Sequence, residues 1–141
     1  MIAIVLQNRY ERPNGEGPQW DNCYTHGMLK PIIEAMGGES AYQRIQADSR
    51  IYDRPTSEFA VEADRTVAEI RALNPSYILA CGRAAHEAIA NLDGYPILRI
   101  PHPAWRGFSR DMQASVALAV RARRVGWLFV GRRDNGDRDC S

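Results

Sequence analysis

Three short apolar runs punctuate the chain: MIAIVL at Met1–Leu6, YILAC at Tyr77–Cys81 and PILRI at Pro96–Ile100. None alternates with polar residues, so each reads as a strand covered on both faces, the condition found in parallel sheets between helical layers. The segments between them carry apolar residues at helical spacing. Strands alternating with helices predict an α/β fold: a single three-layer domain with a mostly parallel central sheet of about four strands flanked by helices. A length of 141 residues suits one domain, and one core is feasible at this size without disulfides or metals.

Between the first run and the first helix lies a Gly/Pro-rich loop, Gln7 to Asn22, with Pro13, Gly15, Gly17 and Pro18. It is long for a connector, and long ordered loops tend to carry function. Met28/Leu29, Ile32/Ile33 and Met36 then recur at helical spacing until Gly37-Gly38. Residues 39–56 show no clear period, and Tyr52–Pro55 reads as loop. Thr56 or Ser57 is placed to cap a helix with the stripe Phe59, Ala63, Val67 and Ile70, ending near Asn74-Pro75. Gly82 turns the second strand into a helix over 83–92, which Asp93-Gly94 breaks. After the third strand come Pro101-His102-Pro103, a short loop, and a helix capped by Ser109. Residues 127–130, WLFV, fit a last short strand or a packed helix end. The domain is expected over 1–130, with a polar, disordered tail over 131–141.

Charge and cysteines narrow the function classes. The formal net charge is +1, so the whole chain is no general ligand for polyanions. Between Arg99 and Arg124, however, six arginines face one acid, Asp111. Such a stripe can meet phosphates, although a solvated helix face is the commoner reason for one. Cys23, Cys81 and Cys140 form no CxxC pair and give no metal-ligand spacing, so neither a metal nor another cofactor is expected. Reduced thiols, no run of the roughly 18 apolar residues a bilayer span needs, and no signal peptide at the start imply a soluble cytoplasmic protein without membrane association.

In parallel sheets, ligands sit beyond the carboxyl ends of the strands. The loop from Gln7, the turn at Gly82 and the loop from His102 should therefore meet. Two prolines bracket His102 and fix the backbone around it. A neutral imidazole held there can donate a hydrogen bond to a developing oxyanion.

Three stretches carry a family resemblance. HPAWRGFSR (102–110) resembles the His-Pro loop of the uracil-DNA glycosylase superfamily, in which that motif precedes the last helix. LNPSYILACGRAAHEAI (73–89) is similar to the superfamily's penultimate strand, glycine turn and helix. DRPTSEF (53–59) is similar to its N-R-x-P-T-x-x-E connection. The first motif departs from the family. Members follow strand one with G-Q-D-P-Y, G-E-A-P-G or G-I-N-P-G, whereas this chain reads Leu6-Gln7-Asn8-Arg9-Tyr10, keeping Gln7 and Tyr10 but neither the glycine nor the proline.

The resemblance implies a DNA glycosylase that flips uracil or a related modified base into a pocket and cleaves its N-glycosidic bond. Asn8 stands where the catalytic Asp or Asn is found. It cannot act as a general base, but its carbonyl can orient water. His102 would hydrogen-bond the departing base. Gln7, Tyr10, Trp20 and Gly82 would bind the base or nucleotide, with Trp20 stacking and Tyr10 crowding the pyrimidine C5 position. Arg83, Trp105, Arg106 and Arg110 would contact DNA. The strand that usually carries the residue reading the pyrimidine edge has no counterpart visible between 38 and 56. The degraded first motif leaves an alternative open, a noncatalytic binder of a nucleotide, a signalling nucleotide or DNA in the same pocket.

Overall fold

The structure is a computed structural model that describes residues 1–12, 14–51 and 60–129. Among the described residues, five strands, β1 (Ile2–Leu6), β2 (Tyr42–Gln46), β3 (Tyr77–Cys81), β4 (Ile97–Ile100) and β5 (Gly126–Trp127), form one sheet in the order β2-β1-β3-β4-β5. Every pairing is parallel. The helices are α1 (Tyr24–Met36), α2 (Ala63–Leu73), α3 (Gly82–Ala88) and α4 (Arg110–Arg121). This is the three-layer α/β domain expected, with one strand more.

The pleat of β1 assigns the layers. Side chains alternate across a strand, so Ile2, Ile4 and Leu6 enter the core with Leu29, Ile32 and Ile33 of α1 and Val116 and Val120 of α4. Ala3 and Val5 face the opposite way, packing with Ile70 of α2 and Ala84, Ala85 and Ala88 of α3. All five residues of β1 are buried, as a run without polar alternation requires.

Several boundaries differ from expectation for identifiable reasons. β2 was not visible because YQRIQ is an edge strand with only its last two residues buried. α3 stops at Ala88 rather than continuing to residue 92. In the described residues α2 starts at Ala63, with Glu62 as its N-cap. Thr56, Ser57 and Phe59 lie outside the described residues, as do DRPTSEF, Cys140 and the 131–141 tail. Ser109 does cap α4, its hydroxyl accepting from the Met112 N–H at 3.1 Å. The undecided segment near 127 is a two-residue strand added to β4.

The chain beyond β2 is pinned by a buried carboxylate. Asp48 is 0% exposed; its oxygens accept from the Arg50 N–H at 2.9 Å, the Ala60 N–H at 3.0 Å and the Arg50 guanidinium at 2.8 Å. Its own N–H donates to the Gln7 carbonyl at 2.8 Å, which ties the end of β2 to the start of the loop after β1. Asp48→Ala strands these donors and should cost about 1–3 kcal/mol, measurable as a lower midpoint in urea denaturation.

Candidate active site

The sheet order puts β1 between β2 and β3, so successive connections leave it in opposite directions and a crevice opens at the carboxyl ends of the strands. A cleft lies there, lined by Gln7, Asn8, Arg9, Tyr10 and Glu11 after β1, Trp20 in the short 3-10 turn before α1, Thr25 at the start of α1, Arg44 and Gln46 of β2, and His102 after β4. Its volume is about 30 Å³, room for roughly two waters. Five of the residues singled out in the sequence thus meet: Gln7, Asn8, Tyr10, Trp20 and His102.

His102 is 8% exposed. Its Nδ1 accepts the Ala104 N–H at 3.0 Å, so the neutral ring carries its proton on Nε2 and acts there as a donor. Burial, with a smaller push from the charge of His86, lowers its pKa from 6.5 to about 4. The ring is neutral at physiological pH.

Gly82 supports this arrangement from behind. Its φ is +88°, and a Cβ there would stand 2.9 Å from the Cβ of His102. Its role is to make room for the imidazole, and it does not line the cleft.

Trp20 is held by a chain of hydrogen bonds. Its Nε1 donates to the Tyr42 hydroxyl at 2.7 Å, which donates to Glu39 at 2.8 Å, and His26 Nε2 lies 2.8 Å from the same carboxylate. Burial, reinforced by Glu39, pushes the Tyr42 hydroxyl up to about 12. The His26 ring meets Trp20 edge-on, centroids 5.1 Å apart. Above the indole, the Arg44 guanidinium carbon lies 4.2 Å from the ring centroid. Arg44 is also forked onto Glu11, at 3.2 and 3.0 Å. Burial would raise the Glu11 carboxyl, but the Arg44 hydrogen bonds and charge outweigh it and hold it below the usual range.

Gln46 is the residue the sequence did not reveal. It closes β2, is 4% exposed, and neither its amide nitrogen nor its amide oxygen has a hydrogen-bond partner among the described residues. Arg65 fixes its backbone, donating from Nη2 to the Gln46 carbonyl while binding Glu62 and Glu69. Buried amides are normally satisfied; this one, at the lining of the cleft, has no such partner among the described residues.

No protein-family model and no curated protein sequence matches this chain.

The remaining expected residues lie outside the cleft. Arg83, Arg106 and Arg110 are exposed. Trp105 is half-buried against the α1/α4 core, its ring folded over Gly107 so closely that a Cβ there would fall 2.5 Å from it. The basic stripe is divided. Arg106 and Arg110 flank the start of α4, at the cleft end, whereas Arg124 is at the far end, its carbonyl accepting from the hydroxyl of Tyr77, first residue of β3. Among the described residues no three His, Cys, Asp or Glu side chains are grouped to hold a metal, and no helix is long and apolar enough to cross a membrane. Cys23 and Cys81 are free thiols, and burial pushes that of Cys81 up.

Two predictions follow from His102 and its support. Because its pKa is lower folded than unfolded, the unfolded chain binds more protons between about pH 4 and 6.5. Stability from the neutral ring is whole above that window and should fall by roughly 3 kcal/mol as pH drops through it. Urea titrations from pH 7.5 to 4 should show this slope, reduced in His102→Gln. Gly82→Ala should cost about 1–3 kcal/mol through its positive φ and the clash, seen as a lower thermal midpoint.

Proposed function

We propose that the chain is a DNA glycosylase-like enzyme that draws uracil or a related modified base into this cleft and hydrolyses its N-glycosidic bond. The observation that carries the reading is the pair of groups facing one cleft: the unpartnered amide of Gln46 and the Nε2–H of a neutral His102. An amide offers a donor and an acceptor side by side, the complement of a base edge with adjacent carbonyl and N–H groups. The family resemblance of residues 73–89 and 102–110 points the same way.

In the reaction the C1′–N bond breaks first, its electron pair leaving with the base while positive charge develops on the sugar. His102 donates to the base oxygen where that negative charge accumulates, a contribution on the order of 3 kcal/mol for one well-placed donor. The Asn8 carbonyl orients a water whose oxygen bonds to C1′, and the proton that water sheds ends on the departed base or in solvent. Trp20 supplies the stacking surface and Tyr10 walls the cleft beside Asn8.

One observation favours noncatalytic binding of a nucleotide in the same cleft. Asn8 cannot accept a proton, and Glu11, the carboxylate lining the cleft, is committed to Arg44.

Incubation with uracil-containing single- and double-stranded oligonucleotides should yield alkali-labile sites, and His102→Gln should slow their formation about 100- to 1,000-fold. The rate should show no inflection from His102 between pH 5 and 8, since its ring stays neutral there. Gln46→Leu should weaken uracil binding by calorimetry. Tight nucleotide binding without alkali-labile sites selects the noncatalytic reading; no strand breaks together with uracil binding indifferent to Gln46→Leu removes both.

A further inference from the structure

The narrow cleft has a larger neighbour. A groove of about 440 Å³ adjoins it, within the usual size of small-ligand sites. Arg9, Glu11, Arg44 and Gln46 line both spaces and so form the sill between them. Arg12 and Arg65 line the groove alone, giving it four arginines against Glu11 and Glu69. Arg65 is clamped to Glu69 of α2 and to its cap Glu62 and acts as fixed charge; Arg9, Arg12 and Arg44 line the groove beside it.

Arg44 explains why the cleft is narrow. It lies on the face of Trp20, where a stacked base would go, and Glu11 holds it there by a two-pronged pair. A carboxylate forked onto arginine takes positions that phosphate oxygens also take. Glu11 is therefore an internal anion in a place suited to an external one. The pair is sheltered, with side-chain exposures of 20% for Arg44 and 17% for Glu11. An arginine so far removed from water gives up one anion readily only in exchange for another.

We propose that this groove is a phosphate subsite and that the ligand is a base carrying an adjacent phosphate: Arg44 exchanges Glu11 for the phosphate and thereby uncovers Trp20 for the base. The proposal rests on the base-binding reading of the cleft. A free nucleotide and a DNA strand share the chemistry it requires.

Calorimetry would compare uracil, 2′-deoxyuridine, its 3′- and 5′-monophosphates, 2-deoxyribose 5-phosphate and a trinucleotide with uracil at its centre. At least one monophosphate should bind tenfold or more tightly than the nucleoside. Glu11→Gln should raise its affinity several-fold, and Arg12→Gln should narrow the gap between nucleotide and nucleoside. Equal affinities for nucleoside and both monophosphates, unmoved by Glu11→Gln, overturn the proposal and leave the base cleft standing. If deoxyribose phosphate binds and Arg12→Gln weakens it while uracil and nucleoside do not bind, the groove stands and the base reading falls. Silence from every probe overturns both. Preference for the trinucleotide with affinity falling steeply in salt assigns the phosphate to DNA; preference for a monophosphate assigns it to a free nucleotide.

Discussion

Everything in this molecule is arranged around a first strand that cannot tolerate water on either face. Residues 2–6 are all buried, so β1 takes a parallel partner on each edge and a pair of helices on each side. Parallel neighbours cannot be joined by tight turns. The chain must cross over a face each time, first towards β2 and then back past β1 towards β3, and the connections part above the carboxyl end of β1. The crevice is a consequence of burying an apolar strand, and the residues following Leu6 inherit it whatever their chemistry.

Apolar and polar side chains both line the crevice, and several of them are held by something behind. Trp20 is oriented through Tyr42, Glu39 and His26, His102 by its own loop and the space left at Gly82, and Gln46 by Arg65 gripping its carbonyl. This separation between supporting and presenting groups keeps donors and acceptors aimed without reorganisation, the condition under which dipoles in a dry site act strongly. Gln46 differs from the others because its backbone is fixed while its amide is left unpaired. An unsatisfied buried amide costs on the order of 1–3 kcal/mol.

The apolar strands, the helix that Ser109 caps, the parallel arrangement and the meeting of Asn8, Trp20 and His102 were legible because burial and capping leave local patterns. β2 was not, and its residues show why. Tyr42 props Trp20, Arg44 covers it and Gln46 faces the cleft; placing site residues on an edge strand replaces the apolar alternation by which strands are recognised. YQRIQ offers only a tyrosine and an isoleucine, three apart and therefore on opposite faces of the strand, which leaves no period-2 signal to read. Trp105 is the converse. Its position beside His102 resembled that of an exposed stacking group, whereas its ring packs over Gly107 and the core, a contact that neighbouring residue types alone do not specify.

Arg44 is the point at which the chemistry of the two spaces becomes one problem. It cannot lie on Trp20 and at the same time make way for a stacked base, and leaving Glu11 with no other anion in reach carries a cost. A ligand that offers only a base must therefore displace a sheltered guanidinium with nothing to pair it; a ligand that offers only a phosphate has no need of Trp20. On this physics a ligand bearing both groups gains more than the sum of its parts, because the second group removes a cost the first would otherwise meet. Selectivity for a nucleotide over its fragments would then come from a single shared side chain rather than from a tighter fit in either space.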